Sequence, residues 1–251
     1  MTPLLCAVMQ QKRHLVDMLL SAKASSNSLS FGTFWRATGS SVCSSCDIKI
    51  TPLHMAAYIG DLHGTYKLIQ HEESNSSFNN STSLNDNDSR YFTYMTPLWL
   101  ALLQGHVRIV KLFLSLGKLN SNSLTCHFGS GLEVCLQEGH TALALMLLRA
   151  GYDLNDDLEW IEDKNYPCSN AEVIDHIEAL ADRPRSLLDW CSSSLRDKFG
   201  LALDDYLAIV GAPKKICDII NFNDLSKASW QDVLPQNKSV KQYPPINTFI
   251  S

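Results

Sequence analysis

The sequence predicts an all-α chain, in which a solenoid of helix–turn–helix repeats precedes a small unit of three helices. Two observations predict the solenoid: one residue pattern recurs four times, and each copy is typical of a helix, a sharp stop and a second helix. A different amphipathic pattern begins near residue 183 and predicts one further helix, and the unit of three helices is what a family resemblance described below implies. With 45% hydrophobic residues among 251, the chain can bury a sizeable core.

The first helix of each copy begins at a residue suited to capping it. The four starts are Thr2, Thr51, Thr96 and Ser130, and the first three begin Thr-Pro-Leu. A Thr or Ser hydroxyl accepts a hydrogen bond from a free backbone N–H, while Pro in the first turn gives up only a donor that has no helical partner. These starts therefore predict four first helices.

Three more offsets agree between the copies. A small residue five positions after each start lets a neighbouring helix approach, Gly nine positions on suits a left-handed turn, and an apolar pair on the second helix faces the stack. The residues are Ala7, Ala56, Ala101 and Cys135; Gln11, Gly60, Gly105 and Gly139; and Leu19-Leu20, Leu68-Ile69, Phe113-Leu114 and Leu147-Leu148.

The tetrapeptide and these spacings resemble the ankyrin repeat. The starts lie 49, 45 and 34 residues apart, against about 33 in that family. The excess lies in two inserts, 28–50 and 71–95, which the resemblance puts at the hairpin fingers. The second is rich in Asn and Ser, and we expect a mobile loop there. Since the chain begins within a repeat, we also expect a fragment of a longer array.

A weaker pattern follows residue 155. The segment 170–181 predicts an amphipathic helix with Val173, Ile174, Ile177 and Leu180 on one side, and we assign it to a partial closing repeat. The repeat domain is therefore predicted to span 1–182. The tail, 226–251, has no periodicity and is expected to be extended or disordered.

The block at 183–225 carries the most specific pattern. Ser186 starts a helix that Gly200 stops, and Leu187, Cys191 and Leu195 recur every fourth residue. This stretch resembles the elongin-binding segment of a SOCS box. Val210-Gly211-Ala212-Pro213 and the apolar residues after it resemble the cullin-binding segment, with Val-Gly replacing the usual Leu-Pro. The matching residues here are Pro213, Ile216, Ile219 and Ile220. Four residues are expected to close the three-helix unit: Leu201, Leu203, Leu207 and Ile209.

Together the patterns resemble the ankyrin repeat and SOCS box proteins. The resemblance implies a non-catalytic substrate receptor that recruits elongin B, elongin C and a cullin, cullin-5 in this interpretation, with its RING protein. The repeats would hold an unknown target protein in the cytoplasm or also in the nucleus. In this hypothesis Leu187 enters an apolar pocket of elongin C, and Cys191 and Leu195 extend the ridge.

Two alternatives stay open. A plain ankyrin scaffold without ligase coupling needs no exposed Leu187. Cys43 and Cys46 have the spacing of half a zinc site, but with no second pair we prefer free thiols and predict no metal or cofactor. His54 is interpreted as a structural hydrogen-bonding residue. Two acidic pairs, Asp156-Asp157 and Asp204-Asp205, are interpreted as solvated helix-start residues.

Composition excludes other classes of function. The net charge of −5 disfavours nucleic-acid binding, and the longest apolar runs are far shorter than the roughly twenty residues of a membrane span. The sequence has no Gly-rich phosphate loop after a strand, no Gly-x-Ser-x-Gly and no His-Glu-x-x-His, so an enzyme is not expected. For target contact the aromatic and Arg types typical of interfaces offer Trp35, Tyr91, Tyr94, Trp99 and Arg108.

Overall fold

The structure is a computed structural model. It describes residues 2–28, 30–37, 43–74, 96–116, 124–126, 129–168, 170–182 and 185–226. The chain divides into two compact units between Leu100 and Ala101, and each is described by itself.

Four helix pairs form the repeats. In the first unit they are α1 (Pro3–Met9) with α2 (Arg13–Ser21) and α3 (Pro52–Ile59) with α4 (Leu62–Ser74). Helix α5 (Pro97–Leu103) spans the division and α6 (Val107–Ser115) follows it, and the last pair is α7 (Gly131–Gln137) with α8 (Thr141–Ala150). The predicted starts are confirmed, because each first helix begins one residue after its Thr or Ser.

Hydrogen bonds explain why the first helices begin there. The side chains of Thr2, Thr51, Thr96 and Ser130 each accept from the backbone N–H three residues on. At Thr51 the cap is reciprocal, since His54 Nδ1 lies 3.3 Å from the Thr51 backbone nitrogen and 2.8 Å from its hydroxyl. The structural interpretation of His54 is therefore confirmed.

The turn inside each pair has one geometry in all four copies. The residue nine after the start has a positive φ: 52° at Gln11, 80° at Gly60, 70° at Gly105 and 72° at Gly139. The next N–H donates back to the carbonyl of the small residue at offset five, over 2.7 to 3.0 Å. This small residue is buried in each copy, and in the fourth it is Cys135, whose thiol pKa is raised by burial. The thiol therefore serves as a small apolar side chain.

In the first unit a β-hairpin joins the two pairs. Strand β1 (Ser30–Ala37) pairs antiparallel with β2 (Cys43–Ile50), from Ser30 opposite Ile50 to Ala37 opposite Cys43. The hairpin lies in the first predicted insert, so the chain is not purely helical. The first four residues of the second predicted insert, 71–74, are helical, because α4 continues to Ser74. The rest of it, 75–95, lies outside the described residues.

In the second unit two short strands, β3 (Thr125–Cys126) and β4 (Gly129–Ser130), precede α7. After α8 come a 3-10 turn at Asn155–Asp157, α9 (Leu158–Glu162) and α10 (Ala171–Asp182). The predicted amphipathic helix is confirmed by α10, on which Val173 and Ile177 are buried. Asn170 Oδ1 caps it by accepting from the Val173 N–H at 3.3 Å.

Three further helices complete this unit: α11 (Leu187–Phe199), α12 (Leu203–Val210) and α13 (Lys214–Ile220). Leu203, Leu207 and Ile220 form their small core, against which Leu195 and Phe199 pack. We call 187–220 the three-helix segment. The prediction that Ile209 belongs to this core is wrong, because its side chain is 84% exposed. Leu201, which was predicted there as well, is half-buried and lies outside the core cluster.

Candidate functional site

Helix α11 is fixed in place at both ends. At its start Ser186 Oγ accepts from the Asp189 N–H at 3.2 Å and donates to Asp189 Oδ2 at 2.6 Å. At its end Gly200 has a φ of 51°, and its N–H donates to the Arg196 carbonyl. The direction of the helix, and therefore of its side chains, is set by these local signals.

One face of α11 is a solvent-exposed stripe of three apolar residues and one serine. Leu187 is 79% exposed, Trp190 is 59% exposed, and Cys191 and Ser194 are exposed as well. These four residues, which we call the α11 stripe, follow one another at spacings of three, one and three. Such spacing places them on one side of a helix, where they form a ridge.

The opposite face of α11 is buried. Ser192 and Arg196 are only 4% and 2% exposed, and helix α11 packs against α8 and α6. Ser193 Oγ donates to the Ala150 carbonyl at 3.5 Å, and Arg185 donates to the Tyr152 carbonyl. Because this face is engaged, the α11 stripe is the side that stays open to solvent.

Arg196 is the residue that holds α13 against α11. Its Nη1 donates to the Ile220 carbonyl at 2.9 Å, and its guanidinium lies 4.6 Å from the centre of the Phe222 ring. Burial lowers the pKa of Arg196 to about 10, while Asp197 and Asp189 act in the opposite direction. The guanidinium therefore stays charged at neutral pH, and its Nη2 has no hydrogen-bond partner among the described residues.

The predicted elongin-binding residues do not all share one environment. Ser186 is the helix cap, and Leu187 and Cys191 are exposed on the stripe. Leu195 instead is half-buried against the core of the three-helix segment. Sequence reasoning missed Trp190, although its position three residues after Leu187 was a signal for the same helical face.

The predicted cullin-binding residues likewise include both exposed and buried side chains. Pro213 and Ile216 are exposed, Ile216 to 40%, and Ile219 is half-buried. Ile220 is 2% exposed because it belongs to the small core, so its assignment to a binding surface is corrected. Ile209 and Val210, 84% and 60% exposed, are the apolar residues that stand out at the end of α12 instead.

Among the predicted target contacts, Trp99 is corrected. Its side chain is fully buried, because it lies on the inner side of α5, and a buried ring cannot touch a partner. Arg108 is exposed at the start of α6. Trp35 lies in β1 opposite Ser45, with its side chain outside what is described, and Tyr91 and Tyr94 lie outside the described residues.

One predicted solvated carboxylate is buried. Asp157 is fully buried and accepts three hydrogen bonds, from Ser130 Oγ at 2.6 Å, Tyr152 Oη at 2.8 Å and Trp160 Nε1 at 3.1 Å. Burial raises the pKa of Asp157, and these donors act against the rise. Asp157 is therefore a structural residue that joins the cap of α7 to the turn after α8. Asp204 and Asp205 do lie in the first turn of α12, but only Asp205 is solvated as predicted, because Asp204 is half-buried and accepts from Asn221 Nδ2 at 2.6 Å.

Within the described residues, no group of three His, Cys, Asp or Glu side chains is placed to hold a metal ion. Cys43 and Cys46 lie in β2, and their side chains are outside what is described. Among the helices that the structure describes, none is long and apolar enough to cross a membrane. Among the described residues, the most exposed large apolar side chains are those of Leu187 and Trp190 on the α11 stripe and of Ile209 and Val210 on α12.

Comparison with known families agrees with the repeat geometry. Residues 53–157 match the sequence model of the family described as "Ankyrin repeats (3 copies)". The match begins in α3 and ends at Asp157 after α8, so it covers the second to fourth helix pairs. These three pairs are therefore similar to ankyrin repeats, which indicate a protein-binding module.

Proposed function

From these ankyrin repeats we propose that the chain is the substrate-recognition subunit of an elongin BC–cullin–RING ubiquitin ligase. In this proposal the three-helix segment is a SOCS box, and it recruits elongin C, elongin B and a cullin, cullin-5 in the first instance. The repeats hold the protein to be modified. The chain catalyses nothing itself, because it supplies only proximity between the target and a charged enzyme bound elsewhere.

The observation that supports this proposal is the exposure of the α11 stripe. A leucine that is 79% exposed at the first turn of a well-capped helix contributes nothing to the core of this chain. Burying such a side chain in a partner's pocket contributes about 2 kcal/mol. Cys191, one turn further on, is small enough to let a partner helix lie close.

Cullin recruitment rests on a separate patch. Pro213 and Ile216 are exposed at the start of α13, close in sequence to exposed Val210. Gly211, with a φ of 67°, ends α12 in a left-handed cap where the usual SOCS box has proline. Since proline cannot adopt a positive φ, the turn before α13 differs from the family pattern. The proposed elongin contact lies on α11 and does not involve this turn.

The second candidate is an ankyrin scaffold without ligase coupling. It is favoured by the packing of α11 against α8 and α6, because a three-helix segment in that position also covers the end of the repeats. The two candidates differ in what the α11 stripe does. A scaffold gives it no partner, whereas a receptor buries it.

Co-purification with elongin B and elongin C separates the candidates. The natural chain is expected to form a stable complex, and Leu187→Asp is expected to lose it, because the carboxylate would have to be desolvated in an apolar pocket. Leu158→Asp is the matched control, since Leu158 is also exposed, to 39%, but lies on α9. Circular dichroism checks that all three chains are folded.

A folded natural chain that forms no complex would reject the ligase proposal and leave the scaffold. The cullin half has its own test. Ile216→Asp is expected to keep the elongin complex and to lose the cullin, whereas equal cullin binding by both chains would show that this patch is not the contact.

A further inference from the structure

The α11 stripe runs along a different line of the helix from the pattern that the sequence predicts. The predicted line passes through Leu187, Cys191 and Leu195, at intervals of four. In the structure Leu195 is half-buried, because it packs against the core of the three-helix segment. A partner that docks on α11 therefore meets Leu187 and Cys191 but finds Leu195 already engaged in that core.

Helix geometry places the other apolar residues of α11 on either side of Leu187. With about 100° per residue, Trp190 lies about 60° to one side of Leu187, and Cys191 lies about 40° to the other. Leu195 lies about 80° round on the Cys191 side, and Leu188 lies close to it at about 100°. The exposed helix thus has two flanks, which we call the Trp190 flank and the Leu188 flank.

The two flanks differ in the apolar surface that they leave open. Trp190 is 59% exposed and is the largest apolar side chain on α11. Leu188 is 43% exposed, but Leu195 and Phe199, which lie near it on the same flank, pack against the small core. Because an aromatic ring also offers a larger apolar surface than a leucine, the Trp190 flank gives a partner more to bury.

Trp190 has the chemistry of an interface anchor. Tryptophan is enriched among the residues that dominate binding at protein interfaces, and with only two side-chain torsions it loses little conformational freedom when a partner holds it. Its ring suits a flat apolar surface, and its indole N–H suits a hydrogen-bond acceptor at the edge of that surface. Ser194, small and exposed one turn further on, leaves room for the partner to reach the ring.

We infer that Trp190 is a main anchor of the proposed elongin C contact, and that elongin C docks across the Trp190 flank of α11. This inference rests on the proposed function, since it names the side of α11 that meets that partner. The matching surface has an apolar pocket for Leu187 and, beside it, a flat apolar area with a hydrogen-bond acceptor for Trp190. Leu195 acts through the core of the three-helix segment, as a positioning residue for α11.

Affinity for the purified elongin B–elongin C complex, measured by isothermal titration calorimetry on the whole chain, tests the inference. Trp190→Ala is expected to weaken binding by about tenfold or more, as the loss of an interface anchor does. Leu188→Ala is the matched control, because it removes an exposed apolar side chain from the other flank of the same helix, and its affinity is expected to stay within about twofold. Trp190→Phe, which keeps an aromatic ring, is expected to recover most of the loss.

The outcomes separate this inference from the proposed function. If the natural chain binds and Leu188→Ala weakens binding more than Trp190→Ala does, the Leu188 flank is the contact and this inference alone is overturned. Equal affinity of the natural chain and Trp190→Ala overturns it as well, because the ring then contributes nothing. A folded natural chain that does not bind overturns the proposed function and this inference with it.

Leu195→Ala distinguishes a positioning role from direct contact. This change is expected to lower the melting temperature of the chain, because it leaves a cavity beside the small core. Trp190→Ala is expected to leave the melting temperature unchanged, since the ring is exposed. If Leu195→Ala instead lost the elongin complex at an unchanged melting temperature, Leu195 would be a direct contact and the assignment to the Trp190 flank would be wrong.

Discussion

At Gln11 the chain places a side chain where its other three repeats have glycine. The φ of 52° there lies in the left-handed region, which costs a residue with a Cβ about 1 kcal/mol or more. The hydrogen bond from the next N–H to the offset-five carbonyl keeps the turn in this geometry all the same. The first repeat therefore folds its turn under backbone strain that the others avoid.

Gln11→Gly is expected to raise the free energy of unfolding by about 0.5 kcal/mol, because relief of the strain exceeds the extra freedom of glycine in the unfolded chain. Urea denaturation measures the change. Gly139→Ala is the reciprocal control: its φ is 72° and no atom lies within 4 Å of the added Cβ. That variant is expected to lose about 1 kcal/mol. A loss in Gln11→Gly as well would show that the turn tolerates a side chain without strain.

Asp157 gives a prediction about pH. Its pKa is raised in the folded chain, so the unfolded chain releases this proton first as the pH rises. Stability from this group is therefore greatest below the ordinary pKa of 3.8 and is lost as the pH rises through the folded value. The free-energy difference between the natural chain and Asp157→Asn is expected to shrink from pH 4 to pH 7, as followed by urea denaturation at each pH. A difference that grows over this range would show that the pKa of Asp157 is lowered in the folded chain, so that its three hydrogen-bond donors outweigh burial.

At the scale of the elements, the repeat helices were predictable because their signals are local. The Thr-Pro starts, the turn positions and the small residues each act within ten residues, and no distant partner decides them. The environment of Asp157 was not predictable, because Ser130 lies 27 residues away. Ile209 and Ile220 were misassigned for the same reason. Periodicity shows that a helix is amphipathic, but which of its apolar residues find cover depends on neighbouring helices.

Replacing Arg196 measures how much this side chain contributes to holding α13 against α11. Arg196→Ala is expected to lower the free energy of unfolding by about 3 kcal/mol. The Ile220 carbonyl would lose its hydrogen-bond donor, and the guanidinium would no longer cover the Phe222 ring. Hydrogen exchange is expected to speed up across α13 in this variant. Ser194→Ala, an exposed change on the same helix, is expected to stay within about 0.5 kcal/mol. If Arg196→Ala were equally mild, α13 would be held by the apolar core alone.

At the scale of the whole molecule, the second compact unit combines repeat helices with the three-helix segment. Lys111 on α6 is 2% exposed, and its Nζ donates to Asn223 Oδ1 at 3.0 Å and to the Ser226 carbonyl at 2.7 Å. Burial lowers the pKa of Lys111, while Asp224 and Asp218 act to raise it. Arg149 on α8 pairs with Asp224. These contacts join residues 223–226, which follow the three-helix segment, to the repeat helices.

Lys111→Ala is expected to loosen this junction. The carbonyl of Ser226 and the amide of Asn223 lose a charged donor, which costs about 2 kcal/mol. In limited proteolysis, the variant is expected to be cut first near 221–226. The natural chain is expected to be cut there more slowly. Lys164→Ala, at an exposed position after α9, serves as the control. An unchanged cleavage pattern would mean that Arg149 and apolar packing suffice.

The exposed α11 stripe has a consequence for how the chain is produced. Leu187 and Trp190 are 79% and 59% exposed. Whenever no other protein covers them, they form an apolar ridge that is prone to non-specific association. Chains that are synthesised in excess of the protein that covers this ridge are therefore expected to aggregate or to remain bound to chaperones. In the ligase proposal, the amount of correctly assembled receptor in a cell is then limited by the amount of elongin C. The gene dosage of elongin C would therefore limit the yield of this chain.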